Sequence, residues 1–325
     1  MHWLSVPHYN ERRSLPARFL VTNNMATLLE TTNLTKDYGA HRALDDLNLC
    51  VAKGEVFGLL GPNGSGKSTT LRLLMGFLRP TSGRAAIDGH DCWTESVAVR
   101  QRTAYLPGEL RLYENMTGWQ LLRFLAGLRK QALGPEAERL AQRFDFDLRR
   151  PIASMSSGMK RKLALMQVLL PPVPLLILDE PTNTLDPTMR DELLEQLIEA
   201  KQRGQTVLFS SHVLQEVERV CDRVGILSKG KLVHLQEMNA LQAGRLAHIC
   251  FSSSPLYDGG VGRIANPSDI PGVKVISQKD GDLTLECTGD LQPLLRWLAT
   301  QPVADVRIQP IGLTPIYNRY QGGKS

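Results

Sequence analysis

The sequence has few cysteines, and they form no recognisable pattern. Five occur in 325 residues, and no two of them are spaced as a C-x-x-C pair. An odd number of widely separated cysteines argues against a disulfide framework and against a cysteine-based zinc site. A reducing compartment fits this usage best.

Long apolar runs and blocks of a single charge are also missing. The longest apolar stretch, LALMQVLLPPVPLLIL over Leu163–Leu178, is broken by three prolines and is too short to span a bilayer comfortably. The formal net charge of +5 permits an anionic partner, but no Lys/Arg block demands one, and no nucleic-acid partner is expected. With 42% hydrophobic and 22% charged residues, the composition is that of an ordinary globular protein.

The chain divides into three zones that differ in their pattern of apolar and polar residues. Residues 1–25 lack the apolar core of a secretory signal, and we interpret them as a disordered extension or a wrongly assigned start. From 26 to 240, apolar runs such as VFGLL and TVLFSSH alternate with helical patterns, which predicts an α/β domain with a buried parallel sheet. From 241 to 325, shorter strands and two short helices predict a small α+β domain, with a surface loop at 252–272.

The segment GPNGSGKST fits the pattern G-x-x-x-x-G-K-[ST] and lies between an apolar strand and a helix predicted to open at Ser68. Glycines allow the backbone amides to point at phosphate oxygens, while Lys67 would bridge the β and γ phosphates and the Ser68 hydroxyl would bind Mg²⁺. The strand and helix on either side argue against a chance glycine-rich turn. The pattern therefore predicts a nucleoside triphosphate site, here named the cradle, formed by Gly61, Pro62, Asn63, Gly64, Ser65, Gly66, Lys67, Ser68 and Thr69.

A partner for the metal follows on a second apolar strand, LLILDEP. Asp179 would hold Mg²⁺ through water, and Glu180 would polarise the attacking water as the general base. Many strands end in solvated carboxylates, so this pattern is weak when it stands alone. The cradle upstream favours the catalytic interpretation.

From about residue 27 to 238 the chain resembles the nucleotide-binding subunit of ATP-binding cassette (ABC) transporters. The resemblance lies in the order and spacing of TKDYGAHRALDD, the cradle, MSSGMKRKL, LLILDEPTNTLDP and TVLFSSH. It implies a P-loop NTPase fold with a helical subdomain, and an ATPase activity that uses ATP and Mg²⁺.

The same resemblance implies roles for residues outside the cradle. Tyr38 matches the aromatic residue that stacks on adenine, although a tyrosine there is more often a core or edge residue. Ser156 and Gly158 match the signature segment, and the residues themselves indicate that Ser156 caps a helix and offers an anion site there. Asp186 matches a residue at the dimer seam, and His212 matches a catalytic histidine that contacts the γ-phosphate and the attacking water.

The implied working unit is a head-to-tail homodimer with two ATP molecules at its seam. It would drive a separate transmembrane permease from the cytoplasmic face of the membrane, with the permease docked beside the helical region at about 112–151. The C-terminal zone resembles the small domain of ATPases that serve type-2 ABC exporters, which implies export. The cargo is not readable from this chain, because cargo contacts lie in the partner.

Position 108 departs from the family pattern. Most members have a glutamine after Leu-Pro that reaches Mg²⁺ and the attacking water, and here the residue is Gly108. Either backbone, water or the adjacent Glu109 takes over this role, or hydrolysis is slowed. Ser157 and Met159 also differ from the commonest signature residues.

Two alternatives to a transport ATPase stay open. One is a nucleotide-binding regulatory module with weak or no hydrolysis, which Gly108 favours. The other is a soluble ABC ATPase outside transport. The single cassette, without sustained heptads between Lys67 and Asp179, disfavours this second alternative.

Overall fold

The structure, a computed structural model, describes residues 26–251, 267–279 and 282–321. The chain separates into two compact units. The first unit reaches His212 and also includes Leu227–Leu232, and the second comprises Val213–Ile226 and the chain from Val233 onward. The predicted extension at 1–25 and most of the predicted loop at 252–272 lie outside the described residues.

Parallel strands form the centre of the first unit. Each is short and apolar, and the side chains of all four are almost entirely buried, as expected for a sheet covered on both faces. Their bounds are β3 Val56–Leu60, β6 Thr103–Leu106, β7 Leu175–Asp179 and β8 Thr206–Ser211. They pair in the order β3-β8-β7-β6.

A second, antiparallel sheet of the first unit carries Tyr38. Its strands are β1 Thr27–Tyr38, β2 His41–Ala52, β4 Ser82–Ile87 and β5 His90–Asp91. They pair in the order β2-β1-β4-β5, and Tyr38 lies opposite His41 where β1 turns into β2.

Six helices belong to the first unit as it is described. They are α1 Lys67–Leu74, α2 Ser96–Gln101, α3 Gly118–Leu128, α4 Glu136–Arg143, α5 Ser157–Leu169 and α6 Pro187–Gln202, with a 3-10 turn at Ile152–Ser154. Helix α1 begins one residue before the predicted start at Ser68. Thr117 precedes α3 and forms a capping box, in which its hydroxyl accepts from Gln120 N at 3.2 Å and its amide donates to Gln120 Oε1 at 2.9 Å.

The second unit contains a four-stranded antiparallel sheet in the order β12-β13-β11-β14. Its core joins Ala247, Ile249 and Leu285 of the sheet to Leu294 and Trp297 of a helix. The bounds are β11 Gly244–Phe251, β12 Val273–Lys279, β13 Asp282–Thr288 and β14 Val303–Pro310, with α7 Leu214–Val220, α8 Met238–Ala243, α9 Gln292–Leu298, α10 Thr314–Gln321 and a 3-10 turn at Pro267–Asp269. Two further strands, β9 Arg223–Ser228 and β10 Lys231–Glu237, are divided between the units.

The predicted fold class is confirmed in both parts. Apolar runs alternating with helical patterns form the parallel sheet and its helices, and the C-terminal zone is a small α+β assembly. The domain bounds at 26–240 and 241–325 stay predictions. Within the described ranges, no helix combines the length and the apolar character that crossing a bilayer requires.

The capping box of α3 gives a test of local stability. Thr117→Ala removes the hydroxyl acceptor of the Gln120 amide, so we expect it to lower the free energy of unfolding by about 1 kcal/mol in urea denaturation. Thr117→Ser keeps the acceptor and serves as the matched control. Equal midpoints for the Ala and Ser variants would contradict the assignment.

Candidate nucleotide site

The loop between β3 and α1 has a backbone that favours glycine. Gly64 and Gly66 have φ values of 79° and 107°, in the left-handed region that side chains rarely adopt. At Gly61 the obstacle is space, because an added Cβ would lie 2.4 Å from Ser65 Oγ and 2.5 Å from the carbonyl oxygen of Leu227. The three glycines therefore fix a narrow loop that ends at the start of a helix.

Lys67 is held inside this loop. Its side chain is 4% exposed, and its Nζ donates to the carbonyl oxygens of Gly61 at 2.7 Å and Pro62 at 3.2 Å. The same ammonium lies 3.4 Å from Glu180 Oε1. A buried ammonium requires such acceptors, since an unpaired one would be strongly destabilising. The lysine thus joins the loop to the end of β7.

The two acids at the end of β7 share one serine. Ser210 lies on β8 opposite Asp179, and its hydroxyl donates to Asp179 Oδ1 at 2.7 Å. The same hydroxyl oxygen accepts from the Glu180 amide at 2.9 Å. Asp179 is buried, and Glu180 has a φ of 46°, in the left-handed region. One hydroxyl therefore fixes both the Asp179 side chain and the Glu180 backbone.

The Glu180 carboxylate is surrounded by donors. Asn183 Nδ2 donates to Oε2 at 2.7 Å, and His212 Nδ1 lies 3.5 Å from the same oxygen. Burial works to raise the pKa of Glu180, but the Asn183 hydrogen bond and the charges of Lys67 and His212 outweigh it and hold the pKa below its ordinary value. The carboxylate is therefore ionised at neutral pH and able to accept a proton from water.

A cavity of about 520 Å³ opens over these groups. Its wall contains residues of the glycine loop, a cation, two carboxylates and an aromatic ring, and the Tyr38 residue is 45% exposed. The residues lining it include Tyr38, His41, Ala43, Asn63, Gly64, Gly66, Lys67, Ser68, Thr69, Arg72, Gly108, Glu109, Asp179, Glu180 and Asn183.

The structure brings most of the predicted site residues together. Tyr38, Asn63, Gly64, Gly66, Lys67, Ser68, Thr69, Asp179 and Glu180 line the cavity, Gly61 and Pro62 bind the lysine, and His212 reaches Glu180. Ser156, Gly158 and Asp186 are not in its lining.

Two of these three residues cap helices. Ser156 precedes α5, and its hydroxyl accepts from the Met159 amide at 3.3 Å, so the predicted cap is confirmed. Asp186 precedes α6, and its carboxylate accepts from the Met189 amide at 2.9 Å. Their roles at a dimer seam stay predictions.

The prediction gave no role to several residues at this site. Asn183 and Ser210 lie inside the quoted motifs, but their bonds to Glu180 and Asp179 depend on the local turn after β7 and on the pairing of β7 with β8. His41 and Arg72 also line the cavity, and no pattern in the sequence assigns them to it.

The residues present fit a triphosphate with a magnesium ion. Ser65 Oγ is buried and makes no hydrogen bond within the described part of the chain, which leaves a donor inside the loop for a phosphate oxygen. Ser68 and Asp179 supply oxygen ligands of the kind that Mg²⁺ takes together with substrate phosphates and waters. In the described ranges no group of three or more His, Cys, Asp or Glu residues could hold a metal by itself, so phosphates and waters would complete the coordination.

The loop glycines give a matched pair of variants. Gly64→Ala meets nothing within 4 Å and should cost only the left-handed strain, about 1 kcal/mol of unfolding free energy. Gly61→Ala would press a Cβ against the Leu227 carbonyl and should cost at least about 1 kcal/mol more, because backbone must move. Urea denaturation of both variants checks this difference, and an equal or smaller loss for Gly61→Ala would contradict the described loop.

Comparison with known proteins places this arrangement in a family. Residues 44–183 match the family described as ABC transporter. The chain is 39% identical over 215 residues to the probable multidrug ABC transporter ATP-binding protein YbhF of Escherichia coli, a match that covers 64% of this chain and 36% of that protein. It is 37% identical over 227 residues to the bacitracin transport ATP-binding protein BcrA of Bacillus licheniformis, with 66% of this chain and 73% of BcrA covered.

Solved structures agree with the sequence matches. A structure described as the ATP binding subunit of an ABC transporter is 34% identical, with a TM-score of 0.62 over 66% of this chain and 92% of that one. The dimeric cassette MJ0796 has a TM-score of 0.60 at 23% identity, over 65% of this chain and 99% of that one, which shows a shared fold. The chain spans about a third of the length of YbhF and about two thirds to three quarters of several other relatives. These sequence and structural matches show that the chain belongs to the family of ABC transporter ATP-binding proteins.

Proposed function

We propose that this chain binds ATP with Mg²⁺ in the cradle cavity and hydrolyses it to drive a separate membrane permease. The observation that carries the proposal is the meeting of Lys67, Asp179 and Glu180 at one end of the parallel sheet, beside the glycine loop. Ligands of open α/β sheets bind at this carboxyl edge of the strands.

Binding uses the loop and the start of α1. The loop amides and the helix N-terminus attract phosphate oxygens, and Lys67 would exchange its carbonyl partners for the β and γ phosphates. Ser65 offers its buried hydroxyl, and Tyr38 offers an exposed ring on which adenine stacks. Arg72 adds a positive charge to the cavity wall.

Hydrolysis uses the ionised Glu180. When bound by Ser68 and Asp179, Mg²⁺ supplies charge neutralisation and orientation of the β and γ phosphates. Glu180 orients the attacking water and takes its proton, while Lys67 stabilises negative charge on the transferred group. His212 borders the same carboxylate at 3.5 Å and provides a further donor.

Gly108 does not close the site to this chemistry. A Cβ at position 108 would lie 3.4 Å from Asp179 Oδ2, so the backbone here passes directly beside the metal-binding acid. Glu109, which follows the position that lacks a glutamine, also lines the cavity. We propose that the site remains active. The competing proposal, a regulatory module with weak or no hydrolysis, rests on the missing side chain at Gly108.

Dimerisation and permease docking extend the proposal. Ser156 and Gly158 at the start of α5, and Asp186 before α6, would face the nucleotide of a second copy across a dimer seam. Apolar side chains of the helical region stay exposed, including Tyr113 at 56% and Leu128 at 67%, which suits contact with a permease. Export by this permease, from the cytoplasmic face of the membrane, is proposed because YbhF is named for multidrug transport and BcrA for bacitracin transport.

Turnover of the purified full-length chain tests the ATPase proposal. We expect phosphate release with Mg²⁺ and ATP, a loss of at least about 100-fold in kcat for Glu180→Gln with nucleotide still bound, and loss of binding for Lys67→Ala. Gly108→Gln should fold and bind nucleotide, because its Cβ makes only ordinary contacts. Bound nucleotide without phosphate release from either the parent or Gly108→Gln would favour the regulatory module.

Purification from solubilised membranes tests the docking proposal. The tagged chain should recover a protein with several membrane-spanning helices, and Leu128→Glu should reduce that recovery by about tenfold because a charge enters an apolar contact. Ile276→Glu, at another exposed apolar residue in the second unit, is the control and should recover the same amount as the parent. Equal recovery by the Leu128 variant would remove the end of α3 from the interface.

A further inference from the structure

Arg161 is the largest fully buried side chain of the described residues. It lies on α5, the helix that Ser156 caps, and only 2% of the residue is exposed. Its neighbour Lys160 forms a salt bridge to Glu114 at the surface, and Lys162 donates to the carbonyl oxygen of Phe144 at 2.7 Å. Of these three consecutive cationic residues, only Arg161 is buried.

The guanidinium of Arg161 binds separate segments of the chain through their backbone. Nη1 donates to the carbonyl oxygens of Pro107 at 3.0 Å and Gly108 at 3.2 Å. Nη2 donates to the carbonyl oxygen of Asp179 at 3.1 Å and also to that of Glu180. Nε donates to the carbonyl oxygen of Pro181 at 3.1 Å. One side chain therefore joins helix α5, the loop at Gly108 and the end of β7.

The stability of the fold does not by itself explain why the Arg161 guanidinium is buried. Burial lowers the pKa of Arg161, with Asp179 and Glu180 opposing the change, and an arginine stays protonated in proteins. Its five acceptors are backbone carbonyls. An apolar side chain of similar size is often as stable as a buried charge, whereas the planar fork of a guanidinium fixes several acceptors at once. The arrangement therefore suits positional control.

Two features of the acid segment need such control. Glu180 is a non-glycine residue at a φ of 46°, a strained conformation that persists only where the surroundings impose it. Three of the five carbonyls that Arg161 binds belong to Glu180 and to the residues directly before and after it. Gly108 has no side chain that could hydrogen-bond to the acids. Its carbonyl oxygen instead accepts from the same guanidinium that binds the acid segment.

We propose that Arg161 is a positioning residue that holds the Glu180 carboxylate and the Gly108 loop in fixed register for hydrolysis. This inference rests on the proposed ATPase function. None of the five carbonyls that Arg161 binds belongs to the 61–69 loop, so its loss should slow turnover while leaving nucleotide affinity unchanged.

The kinetic test compares Arg161→Lys and Arg161→Met in the full chain. Turnover is divided by the concentration of sites that bind nucleotide, so misfolded protein does not lower the measured kcat. If Arg161 had a purely structural role, its loss would lower the number of such sites and leave kcat per site unchanged. We expect the dissociation constant of a fluorescent ATP analogue to change less than about twofold in both variants. We expect kcat to fall about tenfold or more in Arg161→Met, and by a smaller factor in Arg161→Lys, because lysine keeps the charge and some donors. Lys162→Met, which removes a cation of α5 that also binds a backbone carbonyl, is the matched control and should keep the parental kcat.

A second measurement does not depend on turnover. Hydrogen exchange of the nucleotide-free chain should be about tenfold faster at 180–183 in Arg161→Lys, because the Glu180 and Asn183 amides there donate to Ser210 Oγ and to the Glu180 carbonyl oxygen, and it should be unchanged in Lys162→Met. Parental kcat per binding site in both Arg161 variants, or parental exchange at 180–183 in Arg161→Lys, would overturn the inference. If the Met variant does not fold, the Lys variant decides. A parent chain that shows no turnover defeats the proposed function, while the exchange result still decides the role of Arg161.

Discussion

The contact between the Lys67 ammonium and the Glu180 carboxylate is the interaction on which the site depends. Lysine and acid come from different elements, α1 and the end of β7, and meet in a place where the lysine is almost unexposed. An ammonium there is stable only with several oxygen acceptors, so the carbonyls of Gly61 and Pro62 must turn inward. That turn in the backbone favours glycine at positions 64 and 66, where φ is positive, and at position 61, where a Cβ has no room. The electrostatic demand of one side chain thus explains the shape of the whole loop.

Sheet topology supplies the second requirement. Because β3, β8 and β7 run parallel and are adjacent, their carboxyl ends bring the loop, Ser210 and Asp179 to one edge. The register that places Asp179 opposite Ser210 lets one hydroxyl orient both acids. The acids are held in place by the fold itself, which satisfies their hydrogen bonds before a nucleotide arrives.

The sequence was enough to predict the α/β fold, the cradle and the acids, since each of these depends on contiguous residues whose local geometry is encoded nearby. The glycine pattern specifies the loop, and an apolar run before an acid specifies a buried strand. Asn183, Ser210 and Arg161 received no role in advance, because their bonds depend on strand register, on a local turn and on segments far apart in the chain. The residue type at Ser156 predicted a helix cap, whereas the cap that Asp186 forms was not predicted, and neither cap specifies what a second copy would contact.

The left-handed backbone at Glu180 places opposite demands on this position. Glycine would relieve the steric strain, and asparagine tolerates the conformation better than most residues, yet neither carries an ionised carboxylate. Selection for thermal robustness and selection for reaction rate would therefore favour different side chains at residue 180. The proposed role of Glu180 as the general base would therefore come at the expense of local backbone stability.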